Sequence, residues 1–205
     1  MTLTTISKEE FTSFANTVSH RSFIQSVEMA YLLEKRGNPV QFIAWNQNDQ
    51  VQVAAILYSL SMTGGLHMEI NSGPLYQEKT LLEPFYAALK GYAKKNGAIE
   101  LVIKPYDHYQ TFDSDGNPTS EEQTHFMDNL KNLGYQHDGL TTGYPGGEGD
   151  WHYVKDMEGI TEINLLKSLS KKGKPLVKKA KSFGIELKRL NRDELQLFTD
   201  INSST

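Results

Sequence analysis

The segment Leu66 to Lys104, LHMEINSGPLYQEKTLLEPFYAALKGYAKKNGAIELVIK, contains two strand patterns separated by one long helix pattern. Leu66 to Ile70 has the composition of a strand, and the Gly73-Pro74 pair that follows predicts a turn. Ala98 to Lys104 has the near-continuous apolar character of a central strand. Between them, apolar residues recur at helical spacing up to a stop at Gly97: Leu81, Leu82, Phe85, Leu89, Tyr92 and Ala93. The segment therefore predicts two strands joined by a helical crossover.

The residues before this segment predict one strand, two helices and a hairpin. The first helix begins with Ser7 and Glu10, which have the spacing of a capping box, and the second stops at Gly37. The hairpin strands are joined by a linker rich in Asn, Gln and Asp, residue types common in turns. The predicted bounds are Leu3 to Ile6 for the strand, Ser22 to Arg36 for the second helix, and Val40 to Trp45 and Val51 to Ser61 for the hairpin.

One further helix is predicted after the crossover, capped by Ser120 and Gln123 and ending at Gly134. The element order up to this point is β, α, α, β, β, β, α, β, α. This order predicts an α/β (α+β) fold, in which a mixed, mostly antiparallel sheet is flanked by helices. An antiparallel meander followed by a helix crossover is also the element order of the GNAT class of acyl-CoA N-acyltransferases.

The composition of the sequence changes after residue 140. Thr141 to Asp150 contains four glycines, which predicts a loop or linker. Trp151 to Met157 predicts a strand, after which Gly173 and Pro175 divide a helical pattern into two helices that end at Gly184. A last strand is predicted at Ile185 to Leu190. We therefore expect a first domain over residues 1–150 and the beginning of a second, truncated domain over residues 151–205.

The helical part of this second region is strongly basic. Seven lysines and no acidic residue lie between Lys167 and Lys181, in a chain whose formal net charge is −4. Apolar residues recur on the other side of the pattern and predict a packed face, at Leu165, Leu169, Leu176, Ala180 and Phe183. Such a segment is either a solvated helix face or a binding site for a phosphate-rich ligand such as RNA, a nucleotide or a lipid head group.

Composition and motifs exclude several classes of protein. The chain has no cysteine, which removes thiol chemistry and suits the cytoplasm, and it has no apolar run long enough to cross a membrane. The six histidines lack the spacing of metal ligands, so we expect no metal site. No GxSxG, P-loop or GxGxxG motif is present, which leaves serine hydrolases, NTPases and dehydrogenases unsupported.

Two places carry residues suited to a phosphate-bearing ligand. Lys35 and Arg36 end a helix, where they either bind a phosphate or interact with the negative end of the helix dipole. Asp107 and His108 follow the crossover strand, where α/β folds often place ligand groups, and the nearby rings of Tyr106, Tyr109 and Phe112 could stack on a ligand or cover the sheet edge.

The turn Asn71 to Gln77 is poorly suited to coenzyme A. A pyrophosphate group binds free backbone amides at a helix start, but this turn has one glycine, and Pro74 lacks an amide hydrogen. The sequence therefore disfavours this cofactor, and we expect none. Gly73 and Pro74 shape a tight turn whether or not a ligand binds there.

Several segments together resemble the FemABX family of peptidoglycan branching aminoacyltransferases, most closely its MurM/MurN type. They are SFIQSVEMAYLLEKRG, INSGPLYQ, LVIKPYD and WHYVKDMEGITEINLLKSLSKKGKPLVKKAKSFGIEL. The last is the most specific, because it joins a tryptophan strand with an acidic end to a basic helix. The resemblance implies a cytoplasmic transferase with GNAT-like domains that moves alanine or serine from aminoacyl-tRNA to the stem-peptide lysine of lipid II or a UDP-MurNAc-pentapeptide precursor, with peripheral contact to the inner membrane face.

The resemblance also suggests where substrates bind, although it assigns no catalytic residue. We expect two sets of contacts, with the precursor and its phosphates at Lys35, Arg36, Ser72, Gly73, Tyr106 and Asp107, and with tRNA at Lys171, Lys172, Lys174, Lys178 and Lys179.

The sequence departs from the family pattern at three points. Met29 and Leu33 stand where members often have a tryptophan and a phosphate-binding lysine, and Lys104 stands where some have an acid. The chain also stops at Thr205, so we expect a truncated protein that is inactive alone. A coenzyme A-dependent acetyltransferase and a non-catalytic module that binds RNA or anionic membranes are the alternatives.

Overall fold

The computed structural model describes residues 2–48, 50–139, 152–184, 186 and 188–203. The chain divides into two compact units, Met1–Gly139 and Leu140–Thr205. Within the described residues, no helix combines the length and the apolar character needed to cross a bilayer.

The first unit is built on a sheet whose described strands are β1 (Thr2–Thr5), β2 (Val40–Gln47), β3 (Gln50–Met62), β4 (Gly65–Asn71), β5 (Leu75–Tyr76) and β6 (Ala98–Lys104). The order of the strands across the sheet is β1-β2-β3-β4-β6. Antiparallel pairs join β1 to β2, β2 to β3 and β3 to β4, whereas β4 and β6 are parallel, with Glu69 opposite Val102 and Asn71 opposite Lys104. A short strand, β5, pairs with the first part of β3 and was not predicted.

Helices cover both faces of this sheet, and they are α1 (Lys8–Ala15), α2 (Val27–Lys35), α3 (Leu82–Lys95) and α4 (Thr124–Asn132). On one face α3 packs through Phe85, Tyr86 and Leu89 onto β2, β3 and β4, with α4 beside it. On the other face α1 contributes Phe11 and Phe14, and α2 contributes Ala30. The predicted mixed sheet with flanking helices and a helical crossover is confirmed.

Local signals placed most of these elements correctly. The capping box of Ser7 and Glu10 is formed at the start of α1. Glycines with positive φ follow α2, α3 and α4, at Gly37, Gly97 and Gly134. They end these helices because glycine adopts this backbone conformation without strain.

Three predictions about the first unit need correction. Strand β6 lies at an edge of the described sheet rather than at its centre, and Ile99 on it is exposed. Ser120 does not cap α4, because its hydroxyl accepts the Thr111 amide and the helix begins at Thr124. The second predicted helix begins at Val27, after a short 3-10 turn at Phe23–Gln25.

The second unit contains three described helices, α5 (Glu162–Ser168), α6 (Gly173–Ser182) and α7 (Leu195–Ser203). The break between α5 and α6 is as predicted, with Pro175 in the first turn of α6, and Gly184 follows α6 with a positive φ. The predicted strand at Trp151 to Met157 is wrong for residues 152–157, which form no strand; Trp151 lies outside the described residues. Of the strand predicted at Ile185 to Leu190, residues 186 and 188–190 are not in a strand, and the others lie outside the described part of the chain.

Candidate functional site

A turn of unusual backbone geometry links the end of β4 to β5. Ser72 has a φ of +52°, and the Gly73-Pro74 peptide bond is cis. The Ser72 hydroxyl donates a hydrogen bond to the Asn71 side-chain oxygen over 2.9 Å. The Gly73 amide donates to the Lys104 carbonyl over 3.2 Å. This last bond ties the turn to the end of β6, so the carboxyl ends of the two parallel strands are held together.

The buried side chain of Gln25 packs against this turn and supports it. Nothing in the sequence around Gln25 indicated this role. Its side chain is 2% exposed. It accepts the Ile56 amide of β3 over 2.8 Å and donates to the Asn71 carbonyl over 2.6 Å. A Cβ atom added to Gly73 would lie 2.7 Å from the Gln25 Cδ atom, so glycine is needed here for close approach.

This geometry bears directly on pyrophosphate binding. Free amides pointing at one spot make an anion site at a helix start. In this turn the Gly73 amide is already bonded to Lys104, and Pro74 has no amide hydrogen. The turn therefore does not present the set of free amides that a coenzyme A pyrophosphate needs.

The residues after β6 lie beside this turn and meet the connection between α1 and α2. The Tyr106 carbonyl lies 2.9 Å from His20 Nε2, and the two rings stack with centroids 5.0 Å apart. Tyr106 remains 45% exposed, so its ring is available to a ligand. His20, which the sequence did not single out, thus fixes the start of the predicted ligand-binding loop.

Asp107 is held in place by two residues that follow the turn, Tyr76 and Lys79. The Tyr76 hydroxyl donates to its carboxylate over 2.8 Å, and the Lys79 ammonium lies 3.7 Å from the same oxygen. Burial and the bond to Asp107 raise the pKa of Tyr76. The structure therefore brings Gly73, Tyr106 and Asp107 to one end of the sheet, where a rigid carboxylate and an exposed ring could bind a cationic or cyclic group.

Lys35 and Arg36 lie at the C-terminal end of α2. The Lys35 ammonium sits over the Tyr31 ring at 4.7 Å from its centroid. Within the described residues neither side chain forms a hydrogen bond or ion pair with the turn or with the loop after β6. Both side chains lie at the negative end of the helix dipole, which favours positive charge. This interaction was the alternative interpretation of the two residues.

A buried carboxylate on β4 was missed by the sequence analysis. Glu69 is 6% exposed and lies 3.2 Å from His67 Nε2 and 3.2 Å from the Lys104 ammonium. Burial would raise the pKa of Glu69, but hydrogen bonds from Tyr58 and His67 and the charge of Lys104 lower it below its usual value. Side chains along β4 alternate between the two faces of the sheet, so Glu69 lies on the face opposite Met68 and Ile70. That Lys104 lies beside Glu69 follows only from the register between β4 and β6.

His67 lies between two carboxylates, since its Nδ1 atom is 2.6 Å from Glu100. Partial burial would lower the pKa of His67, but hydrogen bonds and charges from Glu100 and Glu69 outweigh this effect and raise it. The face of β4 and β6 next to the turn thus carries a compact set of alternating charges.

In the second unit, the predicted tRNA contacts are carried by α6 and the residues just before it. Lys171, Lys172, Lys178 and Lys179 are exposed, and Lys174 is half-buried. None of these lysines is paired with an acidic side chain that the structure describes. The predicted packed face is not formed among the described residues, because Leu176 and Phe183 are 67% and 66% exposed. No described element of this unit covers them, so exposed cations and exposed apolar groups share one helix.

A family model and individual relatives both match nearly the whole chain. The model of the FemAB family matches residues 6–205. Aminoacyltransferase FemB of Staphylococcus epidermidis is 30% identical over 210 residues, covering 100% of this chain and 50% of the relative. Aminoacyltransferase FemA of Staphylococcus aureus is 28% identical over 211 residues with the same coverage. The chain therefore spans about half the length of the curated relatives it matches.

One solved structure is similar over nearly the whole chain. The crystal structure of FemX superposes with a TM-score of 0.70 and 21% identity, covering 98% of this chain and 48% of the other. At this identity the similarity establishes the fold.

Proposed function

The chain belongs to the FemAB family, and from that premise we propose that it forms part of an aminoacyltransferase acting on a peptidoglycan precursor. The donor is aminoacyl-tRNA, and the acceptor is the stem-peptide lysine of lipid II or of a UDP-MurNAc-pentapeptide. Alanine or serine is the amino acid transferred, as in the MurM/MurN type. In this reaction the neutral lysine amine, formed when the ammonium gives up one proton, bonds to the ester carbon, and the bond between that carbon and the RNA oxygen breaks. A second proton passes from the nitrogen to the RNA oxygen, which leaves as the free hydroxyl.

The first unit takes the acceptor in this proposal. Asp107, fixed by Tyr76, is suited to bind the lysine ammonium, and the exposed Tyr106 ring is suited to stack on a cyclic group of the precursor. Ser72 and Gly73 form the adjoining wall of the site. Lys35 and Arg36 contribute positive charge for the precursor phosphates.

The second unit supplies contacts to tRNA through Lys171, Lys172, Lys174, Lys178 and Lys179. Clustered lysines neutralise phosphates and release counterions, so the resulting affinity falls as salt is added. Both the tRNA donor and the nucleotide-linked precursor are found in the cytoplasm, which we propose as the location, with peripheral contact to the inner membrane face where lipid II is the acceptor.

One observation favours this function over a coenzyme A-dependent acetyltransferase. The turn after β4 has one amide in use and a second removed by proline, so a pyrophosphate cradle is not formed. An ester donor carried by RNA needs no such cradle, because the ester is already activated and the enzyme mainly has to position the amine and stabilise the tetrahedral oxyanion.

Calorimetric titration of the chain tests the proposal. We expect binding of UDP-MurNAc-pentapeptide and of alanyl-tRNA, and no heat with acetyl coenzyme A. Asp107→Asn and Tyr106→Ala should weaken precursor binding, whereas His108→Ala, an exposed residue of the same loop, serves as the matched control. Saturable binding of acetyl coenzyme A would favour the acetyltransferase. Binding of tRNA by the chain, with no precursor binding and no turnover by a longer protein containing it, would favour a non-catalytic module.

A further inference from the structure

A cavity of about 400 Å³ opens between the starts of α3 and α4, on the sheet face opposite α1 and α2. Small-molecule sites have volumes of roughly 300–1,000 Å³, so the cavity is large enough for a small metabolite. Its walls are mainly apolar and are formed by Leu82, Phe126, Leu130 and Leu133. None of the residues proposed above for precursor or tRNA binding lines it.

The cavity wall includes a buried hydroxyl with no hydrogen-bond partner in the part of the chain that the structure describes. Tyr86 is 1% exposed and lines the cavity, with its ring 6.2 Å from that of Phe126. Within the described residues its hydroxyl forms no hydrogen bond. Buried polar groups are nearly always satisfied, so this hydroxyl is a donor available to a ligand that enters the cavity. Burial, with Asp107 second, raises the pKa of Tyr86, so the hydroxyl stays protonated and acts as a donor.

The rim of the cavity carries one side chain of each charge, and the two are close in sequence. Lys79 is held over the Phe126 ring, 5.5 Å from its centroid, and lies 3.7 Å from Asp107. Glu83, four residues later, accepts a 3.5 Å hydrogen bond from the Asn129 side chain. A ligand that used both rim groups would need one anionic and one cationic end.

The start of α4 adds donors on the same side. Gln123, just before the helix, and His125 and Phe126 in its first turn lie in the cavity wall, and no side chain caps the helix. The first amides of an uncapped helix have no intrahelical partner and favour negative charge. Together with Lys79 and the Tyr86 hydroxyl, they form a donor-rich end that matches a carboxylate.

We propose that this cavity binds a free amino acid with an apolar side chain. The carboxylate lies against Lys79, the Tyr86 hydroxyl and the start of α4, and the ammonium lies against Glu83. The side chain is buried between Leu82, Leu130 and Leu133. The cavity adjoins the proposed acceptor site, because Lys79 also lies 3.7 Å from Asp107. Binding of leucine and binding of the precursor are therefore measured separately, so that failure of one proposal is distinguishable from failure of the other.

The test is an NMR titration of the 205-residue chain with leucine, monitored at the backbone amides of His125 and Asn129. Leucine should produce saturable shifts. N-acetylleucine, which lacks the cationic end, and leucinamide, which lacks the anionic end, should each bind at least about tenfold more weakly. Absence of saturable shifts with leucine overturns the proposal. Equal binding of N-acetylleucine also overturns it, because the cavity would then be a site for simple carboxylates.

Variants separate ligand binding from folding. Tyr86→Phe removes a hydroxyl that has no hydrogen-bond partner among the described residues, so its thermal midpoint should rise in the absence of leucine, while its leucine affinity falls about fivefold to tenfold. Glu83→Gln and Lys79→Gln should weaken leucine binding, with Lys95→Gln on the exposed end of α3 as the control. A Tyr86→Phe protein with unchanged leucine affinity would show that the hydroxyl does not contact the ligand and would contradict the proposed pose.

Discussion

Gly73 and Gln25 show how one residue choice depends on another far along the chain. Gln25 fills the space beside Gly73 and satisfies one amide of β3 and one carbonyl at the end of β4. The conformation of the turn is therefore set by contact with the Gln25 side chain as well as by the backbone preferences of glycine and proline. This is why we expect it to be rigid before any ligand binds.

Gly73→Ala should lower the free energy of unfolding by about 1–3 kcal/mol, because the new methyl group would overlap the Gln25 side chain. Gly91→Ala is the matched control. Gly91 lies inside α3 with nothing within 4 Å of an added Cβ, so this change should raise stability by about 0.5–1 kcal/mol. Urea denaturation measures both values. Similar stabilities for the two variants would show that Gly73 is not closely packed.

The charge pair of His67 and Glu69 makes stability depend on pH. The pKa of His67 is raised in the folded state above 6.5, so its contribution is complete below about pH 6.5 and is lost as pH rises through the folded value. The pKa of Glu69 is lowered below 4.5, so its contribution is present above about pH 4.5 and is lost as pH falls through the folded value.

His67→Gln should therefore reduce stability more at about pH 5.5 than at about pH 8. Denaturant titrations at both pH values, on the wild type and the variant, measure the difference. In a Glu100→Gln background the same replacement should show a smaller pH dependence, because one of the two acceptors has been removed. A stability difference that is independent of pH would mean that His67 is not stabilised as the cation.

At the scale of elements, the most distinctive feature is the lysine-rich segment of α5, α6 and the residues between them. The lysines proposed to bind tRNA have no described acidic partner, and the apolar residues Leu176 and Phe183 are largely exposed. A merely solvated helix would be expected to bury its apolar positions on its own unit. The exposed cations and apolar groups together favour a partner surface here.

Replacing Lys171, Lys172, Lys178 and Lys179 with glutamate should weaken tRNA binding and leave the helix content unchanged. The slope of log affinity against log salt should become shallower by roughly 0.7–0.9 for each phosphate that the variant no longer neutralises. Filter binding over a range of salt concentrations and far-UV circular dichroism measure these two quantities.

The pair Lys178→Glu and Lys179→Glu has a matched control in Lys94→Glu and Lys95→Glu. Both pairs are adjacent lysines near the end of a helix, but the second belongs to the first unit. The first pair should weaken tRNA binding and the second should not. Equal reductions in affinity would indicate a general effect of net charge and would leave α6 as a solvated surface.

At the scale of the whole molecule, the acceptor site and the tRNA contacts are proposed on different units. The chain spans about half the length of the curated relatives it matches. Aminoacyl transfer needs the donor ester and the acceptor amine in one site, since proximity supplies much of the rate.

Residues 1–205 alone should therefore bind substrates without transferring an amino acid. The measurement is transfer of labelled alanine from charged tRNA to lipid II, with a longer protein containing these residues as the positive control. Transfer by the 205-residue chain itself would show that the described units already contain the catalytic site.

The sequence by itself determined the order of the elements in the first unit apart from the short strand β5, several of their boundaries, and the family resemblance. Caps, glycine stops and apolar periodicity act over a few residues, so they are visible without a structure. The sequence-based prediction failed where the same local pattern fits more than one structure. An apolar strand pattern did not distinguish a central strand from the edge strand β6, and a similar pattern at residues 152–157 forms no strand. The prediction was also misled at Ser120, where a capping residue was used by a neighbouring loop instead.

Only the tertiary structure decided what surrounds the candidate site. Gln25 meets Asn71 across 46 residues, and His20 meets Tyr106 across 86. Lys104 reaches Glu69 because β4 and β6 are parallel and in register. Contacts of this kind depend on the path of the whole chain, and the residues that make them carry no local pattern. The same reason hid Tyr86, which the helical pattern did not place in the core and whose buried hydroxyl has no hydrogen-bond partner among the described residues.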